Sequence, residues 1–234
     1  MTARWFRGPV VTHALIAACS LAFLLSPLSG FGAPTTTGPE LLDAQDAYLR
    51  RWGVVPAELF TPSLRTALTP LTALFVHGSW LHLLGNMLFL YVFGVMTEER
   101  MGRLPFTLFY LVCGYLSLVA YAAANAASDR TLVGASGAIS GILGAFLCLF
   151  PRARVTSVFP FLFFLPLRFP AWIVLVFWFV LQWLAAQRAG SGPGVAYLAH
   201  LSGFTLGFCH AWVCYRRTTR VSSPVPATEG DNPP

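Results

Sequence analysis

The sequence contains no lysine, and only 10% of its 234 residues carry a charge. Soluble domains contain about 25% charged residues, so this composition, which is 56% hydrophobic, predicts a polytopic membrane protein. All 15 basic residues are arginines, and the net charge is +6. In a membrane protein such a charge is typical of cytoplasmic loops that meet anionic lipid. We therefore expect a lipid bilayer, and no nucleic acid, as the partner of this charge.

Acidic residues are also scarce. The nine carboxylates are Glu40, Asp43, Asp46, Glu58, Glu98, Glu99, Asp129, Glu229 and Asp231. All of them lie outside the long apolar segments, so we expect no buried aspartate or glutamate in the membrane interior. The five cysteines, in contrast, all lie inside apolar runs, where they are typical of small hydrophobic residues rather than of a disulfide or metal framework. No metal or cofactor site is expected.

Six segments are apolar enough for membrane helices, which need about 20 mostly apolar residues. They cover about residues 9–28, 80–96, 106–124, 135–150, 171–184 and 196–215. The sequence therefore predicts an all-α membrane protein with a six-helix membrane domain over residues 9–215. Residues 1–8 would form a cytoplasmic N-terminus, and residues 216–234 a disordered cytoplasmic tail.

The first apolar segment has an alternative interpretation. Two arginines precede it and small residues follow it, as in a signal peptide. Its apolar run is longer than the roughly 7–15 residues of a signal h-region, so we expect a retained anchor.

Two connecting stretches are less regular. The polar segment from Thr35 to Pro70 is rich in turn formers, and we expect it to lie at the membrane surface. The apolar stretch from Val158 to Phe169 is interrupted by prolines, which predicts an interfacial loop rather than a helix.

The arginines also predict the orientation of the chain. With the N-terminus inside, ten arginines face the cytoplasm and five face the opposite side. This bias favours both termini in the cytoplasm. We expect a multi-pass protein of the inner cell membrane, with any site near the outer ends of the helices opening to the extracytoplasmic side.

Three polar residues lie at one depth in different segments. A helix rises about 1.5 Å per residue. Counted from the cytoplasmic ends of their helices, the distance along the helix axis is roughly 21–22 Å for each of Ser136, His82 and His200. Asn86 lies one turn deeper, on the same helix face as His82. Polar groups inside a membrane are costly and usually face a bundle interior or a water-filled cavity. We therefore expect these four side chains to form one site.

Small residues surround the serine in the run Gly134-Ala135-Ser136-Gly137-Ala138-Ile139-Ser140-Gly141. Gly137, Gly141 and Ala145 form one small-residue stripe, and a second stripe in the last segment consists of Gly203 and Gly207. Facing stripes of this kind allow two membrane helices to approach closely.

The fourth segment is too short to cross the membrane, with about 21 Å of helix for a core about 30 Å thick. The chain before Ser136 must then enter the bilayer without helical hydrogen bonds, which is tolerated only where protein or water shields it. Ser136 would begin a helix, where free N–H groups favour a developing negative charge.

A serine, histidines and an asparagine are residue types that catalyse acyl transfer to water. A serine needs a nearby base to act as a nucleophile, and His200 is the candidate by depth and packing. The absence of lysine excludes a serine–lysine pair, and no carboxylate is expected to orient His200. A Ser136–His200 dyad remains, with His82, Asn86 and the Ser136 N–H as donors to an oxyanion.

Three motifs resemble the rhomboid family of intramembrane serine proteases: His77-Gly78-Ser79-Trp80-Leu81-His82-Leu83-Leu84-Gly85-Asn86-Met87, Gly134-Ala135-Ser136-Gly137, and Ala199-His200-Leu201-Ser202-Gly203 followed by Gly207. The resemblance implies a six-helix bundle that needs no cofactor and cleaves single-span membrane proteins near the membrane boundary. It implies that Ser136 is the nucleophile and His200 the base. It also implies that His82 and Asn86 line the oxyanion site.

The chain departs from the family pattern in two places. Many rhomboids have a Trp-Arg pair in the first loop, where this chain has Ser63-Leu64-Arg65-Thr66-Ala67-Leu68-Thr69. Many also have an aromatic residue one turn after the serine, where this chain has Ser140. How His200 is held is therefore left open, with Tyr197 as a candidate.

Two other functions remain as alternatives. One is a non-catalytic rhomboid-like scaffold or chaperone for membrane proteins. The other is a metal-dependent membrane enzyme using His77, His82 and His200, although His77 lies off the helix face of His82 and no further carboxylate ligand is at hand.

Overall fold

The computed structural model describes residues 8–31, 38–159, 165–188 and 196–215. The expected tail at residues 216–234, and all of the expected N-terminal segment except Gly8, lie outside the described residues. In chain order the elements are α1 (Val10–Leu24), α2 (Pro39–Trp52), α3 (Pro56–Leu59), α4 (Leu64–Thr72), a 3₁₀ turn (Ala73–Phe75), α5 (Trp80–Met101), α6 (Arg103–Ala124), α7 (Ser136–Leu149), β1 (Arg154–Phe159), β2 (Leu165–Pro170), α8 (Ala171–Arg188) and α9 (Tyr197–Tyr215).

Each of the six predicted membrane segments coincides with a helix, namely α1, α5, α6, α7, α8 and α9. Among the described residues, α5, α6 and α8 are long and apolar enough to cross a membrane, and α1 and α7 are shorter apolar helices. Helix α9 has 19 residues, and its histidines and hydroxyl side chains lower its hydropathy. A mostly helical membrane protein is confirmed. Six crossings and the orientation of the termini stay predictions.

The all-α prediction is wrong between α7 and α8, where β1 and β2 pair as an antiparallel hairpin. Arg154 lies opposite Pro170, and Thr156 lies opposite Arg168. The prolines of the stretch from Val158 to Phe169 predicted an interfacial loop, of which residues 160–164 lie outside the described residues. Both strands of a two-stranded hairpin are edges, however, and an edge strand tolerates proline because one row of its N–H groups has no strand partner.

Helix α7 is the centre of the bundle. Every residue from Gly137 to Phe146 is buried, and the helix packs against α5, α6 and α9. Helix α8 is the opposite case, because Ala171 and Leu175 are its only buried residues and most of its surface is free of other described elements. It packs mainly against α9. The bundle therefore has a buried central helix, α7, and a largely exposed helix, α8, beside it.

The irregular chain that leads into α7 is covered by the segment from α2 to the 3₁₀ turn. Val54 and Leu132 exchange backbone hydrogen bonds of 2.9 and 2.7 Å, and the Gly134 N–H donates to the Ala73 carbonyl at 2.8 Å. Protein groups thus satisfy this backbone, as non-helical chain at membrane depth requires. The polar composition between Thr35 and Pro70 did not reveal the three helices α2, α3 and α4.

A buried carboxylate joins α5 to α1. Glu98 is only 2% exposed to solvent. Its Oε1 accepts a hydrogen bond from the Val11 N–H at 2.9 Å, and its Oε2 accepts from the N–H and the hydroxyl of Thr12, both at 2.7 Å. The first N–H groups of a helix lack partners within the helix, so Glu98 caps α1 from a neighbouring helix.

The expectation that no carboxylate lies within an apolar helix is therefore wrong for Glu98. Helix α5 continues to Met101 rather than ending near Met96, and it includes the acidic residues after that point. The capping of α1 explains why a charge is retained there.

We predict that Glu98→Ala lowers the free energy of unfolding by about 2–3 kcal/mol, because buried N–H groups at the start of α1 lose a charged acceptor. Thermal unfolding in detergent micelles, followed by circular dichroism, measures the change. Glu99→Ala is the matched control, since Glu99 is exposed, and it should change the free energy of unfolding by less than about 0.5 kcal/mol. Equal stabilities of the two variants would show that the Glu98 carboxylate does not hold α1.

Candidate active site

Ser136 and His200 lie within hydrogen-bond distance, with 2.9 Å between Oγ of the serine and Nε2 of the histidine. Ser136 is the first residue of α7, and His200 lies in the first turn of α9. His200 is buried, whereas Ser136 is half-buried. The structure thus brings together the two residues that the sequence analysis placed at one depth.

Glycines allow α7 and α9 to touch along their backbones. A Cβ atom on Gly203 would collide with the carbonyl oxygen of Gly137, and a Cβ on Gly207 would collide with that of Gly141. Any side chain at these positions would push the helices apart. Because Ser136 directly precedes Gly137 and His200 lies one turn before Gly203, this contact sets the distance between the two functional groups.

One member of the small-residue stripe differs from the expectation. The predicted stripe continues to Ala145, but the next contact is made by Gly144, where a Cβ would collide with the carbonyl oxygen of Phe204. The i, i+4 spacing used for the stripe gives way here to i, i+3, and both spacings lie on one helix face.

Gly134 brings the chain beside the two other predicted site residues. Its φ angle is +118°, a backbone conformation that residues with a side chain rarely adopt. A Cβ at this position would lie 2.7 Å from Nε2 of His82 and 3.5 Å from Nδ2 of Asn86. The loop therefore needs glycine here both for its conformation and for its close approach to these side chains.

His82 and Asn86 both line a cleft over Ser136. The Gly78 N–H donates to Nδ1 of His82 at 3.4 Å, so the proton of the neutral ring is on Nε2. Asn86 is buried, and its Nδ2 has no hydrogen-bond partner among the residues that the structure describes. Two donor groups are thus available beside Ser136. His77 is buried behind them, with its ring 5.2 Å from that of His82.

The cleft has a volume of about 410 Å³ and lies between α5 and α8. Apolar side chains of Leu81, Phe89 and Trp178 form much of its wall. A second cleft of about 570 Å³ shares Ser136 and His200 and extends toward Thr131. Ser136 therefore lines both clefts.

His200 is held by groups that the sequence analysis did not identify. Its Nδ1 lies 2.7 Å from Oε1 of Gln182 on α8. The ring of Trp178 lies 6.1 Å from the imidazole, and that of Tyr197, the suggested substitute, lies 6.5 Å away in an edge-on orientation. Ser140 has a different role, since its hydroxyl donates to the Ser136 carbonyl at 2.6 Å.

Gln182 was not predicted, because the expected partners of His200 were carboxylates and aromatic rings. The available signal was a single amide in the apolar run Phe179-Val180-Leu181-Gln182-Trp183-Leu184. A polar side chain in such a run usually faces a bundle interior or cavity.

The structure gives the metal-dependent alternative no support. Within the described ranges, no three histidine, cysteine, aspartate or glutamate side chains are grouped as metal ligands.

We predict that Gly207→Ala lowers the free energy of unfolding by about 1–3 kcal/mol, because the added methyl group meets the Gly141 backbone in a closely packed contact. Gly85→Ala on α5 is the control, since a Cβ there would meet nothing within 4 Å. It should leave stability unchanged or raise it by up to about 1 kcal/mol through helix propensity. Thermal unfolding in micelles distinguishes the two, and an unaltered Gly207→Ala protein would contradict the glycine contact.

The chain is similar to several curated rhomboid proteins. Rhomboid protein 1, mitochondrial, of Saccharomyces cerevisiae is 34% identical over 142 residues, which cover 59% of this chain and 39% of that protein. RHOMBOID-like protein 1 of Arabidopsis thaliana is 32% identical over 143 residues, covering 61% and 33%. Rhomboid-like protein 11, chloroplastic, of Arabidopsis thaliana is 43% identical over 74 residues, covering 30% and 25%.

The chain spans about a third of the length of the curated relatives that it matches. Two of these relatives are named as mitochondrial or chloroplastic, so residence in the inner cell membrane stays a prediction. The Rhomboid domain model matches residues 65–217, which include α5 to α9 and all three motifs quoted above. The match covers more than half of the chain, and the chain belongs to the rhomboid family.

Proposed function

We propose that this chain is a serine-type endopeptidase that hydrolyses peptide bonds of membrane proteins within the bilayer. The observation that supports this most directly is the 2.9 Å distance between Ser136 Oγ and His200 Nε2 in a member of this family. A hydroxyl and an unprotonated imidazole nitrogen at this distance form an activated nucleophile. Ser136 is the proposed nucleophile, and His200 is the proposed general base.

The reaction proceeds through an acyl-enzyme. The Ser136 oxygen bonds to the scissile carbonyl carbon while its proton passes to Nε2 of His200. The tetrahedral intermediate breaks its C–N bond, and His200 returns the proton to the leaving amine. Water, deprotonated by His200, then hydrolyses the ester and regenerates the serine.

Donor groups around Ser136 stabilise the negative charge on the intermediate. Asn86 Nδ2 is buried in the cleft without a partner among the described side chains and backbone, and His82 has its proton on Nε2. The Ser136 N–H, at the start of α7, is the third donor, and the positive end of the helix dipole adds to it. Donors fixed in place for a developing charge supply a large part of enzymatic rate enhancement.

The proposed substrates are single-span membrane proteins. The cleft between α5 and α8 has apolar walls and leads to Ser136, which suits an extended segment of a substrate helix. Depth counting places Ser136 about 8 Å below one surface of a 30 Å core, so cleavage near the membrane boundary is expected. The six-span topology over residues 9–215, with cytoplasmic termini and an extracytoplasmic site, belongs to the same proposal.

We predict that Ser136→Ala and His200→Ala lower cleavage of a single-span substrate by at least about 10³-fold, because each removes one half of the dyad. Wild type and variants are reconstituted in liposomes with the substrate, and a fluorophosphonate probe reports serine reactivity. Ser202→Ala is the matched control, since the Ser202 hydroxyl donates to the Ala199 carbonyl at 3.1 Å and not to Ser136 or His200.

Wild-type cleavage and labelling, with both lost in Ser136→Ala, support the protease. If the wild type is not labelled and the Ser136→Ala variant has the same cleavage rate as the wild type, the protease function is contradicted and the scaffold is favoured.

We predict that Asn86→Ala lowers kcat by about 10²–10³-fold while KM changes little, because an oxyanion donor acts mainly in the transition state. Asn125→Ala, at the end of α6, removes an amide that donates to the Tyr121 carbonyl and serves as the control. Initial rates over a range of substrate densities in liposomes separate kcat from KM. If kcat is retained in Asn86→Ala, this residue is not an oxyanion donor.

A further inference from the structure

The imidazole of His200 is engaged at both nitrogens by side chains from two other helices. Nε2 faces Ser136 of α7 at 2.9 Å, and Nδ1 faces Oε1 of Gln182 of α8 at 2.7 Å. The described part of the chain supplies Nδ1 with no other hydrogen-bond partner. The ring is thus fixed between two helices rather than by its own helix α9 alone.

The amide oxygen that faces Nδ1 favours one tautomer of the neutral ring. An amide oxygen can only accept, so Nδ1–H donates to Gln182 and the neutral ring has its lone pair on Nε2. With Oε1 of Gln182 facing the ring, as in this structure, the opposite tautomer would place the Nδ1 lone pair against that oxygen and a proton against Ser136. The Gln182 contact therefore favours the tautomer in which Nε2 is able to take the serine proton.

The same contact remains useful after proton transfer. Once Nε2 has accepted the serine proton, both ring nitrogens carry protons and Nδ1–H still donates to Oε1 of Gln182. A hydrogen bond from an imidazolium is charge-assisted and stronger than one from the neutral ring. Gln182 thereby stabilises the ion pair that develops with the oxyanion, without itself giving up or taking a proton.

Two rings of the same region limit other orientations of the imidazole. Trp178 lies one turn before Gln182 on α8, and its ring centroid is 6.1 Å from that of His200. Tyr197 lies edge-on to His200 with its centroid at 6.5 Å. One face of α8 therefore supplies both a packing wall and the hydrogen-bond acceptor.

We propose that Gln182 is a positioning residue for His200, holding the general base in its productive tautomer and orientation. This inference rests on the proposed protease function. It assigns to a neutral amide on α8 the part that a carboxylate has in a catalytic triad.

The test compares Gln182→Leu, which has a similar volume and no acceptor, with Gln182→Glu, which keeps an acceptor oxygen at this position. Gln187→Leu makes the same change at an exposed glutamine of α8 and is the matched control. Each protein is reconstituted in liposomes with a single-span substrate for kcat and KM. The second-order rate of fluorophosphonate labelling then reports the reactivity of Ser136 independently of substrate binding.

We expect Gln182→Leu to lower kcat and the labelling rate together by about 10–10²-fold, with KM within about twofold of wild type. Gln182→Glu should recover both rates to within about tenfold of wild type, and Gln187→Leu should match wild type. Thermal unfolding of each variant is recorded alongside. If Gln182→Leu does not fold, Gln182→Met takes its place, since it has a comparable length and lacks a strong acceptor.

Three results would overturn the proposal. A raised KM with unchanged kcat and labelling would make Gln182 a substrate contact. Folded Gln182→Leu with wild-type rates would remove any role in the dyad. Equal loss in folded Gln182→Glu and Gln182→Leu would show that the acceptor is irrelevant. A wild-type protein that is neither active nor labelled would instead refute the proposed protease function, so the two failures are distinguishable.

Discussion

The backbone contact between α7 and α9 is the constraint on which the rest of the site depends. Gly137 and Gly141 face Gly203 and Gly207 so closely that a single methyl group on α9 would collide with a carbonyl of α7. In lipid there is little hydrophobic drive between helices, so such close packing is a main source of their association. Because Ser136 and His200 lie at the same end of this contact, the packing that holds the helices together also fixes the distance between the two groups.

The membrane also determines how the remaining polar groups are arranged. Non-helical backbone before α7 is paired with Val54 and Ala73, and the free N–H groups of α1 are capped by Glu98. In water these polar groups would be solvated. In hydrocarbon each unpaired polar group costs several kcal/mol, which is a large fraction of the free energy of unfolding of a domain. The segment from α2 to the 3₁₀ turn therefore supports the site, because it supplies hydrogen-bond partners to the backbone of the loop that precedes Ser136.

Much of the helix layout could be predicted from the lengths of the apolar runs. The number of residues between each polar residue and the end of its helix also predicted that Ser136, His82 and His200 lie at one depth. The hairpin and Glu98 could not be predicted in the same way, because strand pairing and the capping of a distant helix depend on contacts remote in sequence. Gln182 was missed for a chemical reason. The expected partners of a histidine were carboxylates and aromatic rings, whereas the oxygen of a neutral amide can accept the same hydrogen bond from Nδ1–H.

The position of that acceptor links His200, the proposed base, to the cleft between α5 and α8. Gln182 and Trp178 lie on α8, whose only buried residues are Ala171 and Leu175 in the first part of the helix. The same two side chains line the cleft between α5 and α8. Any displacement of α8 that widens this cleft also moves the Gln182 oxygen relative to His200, while the glycine contact keeps His200 beside Ser136. Helix α8 therefore affects both the width of the cleft and the orientation of the proposed base. The distance between Ser136 and His200 depends instead on the contact between α7 and α9.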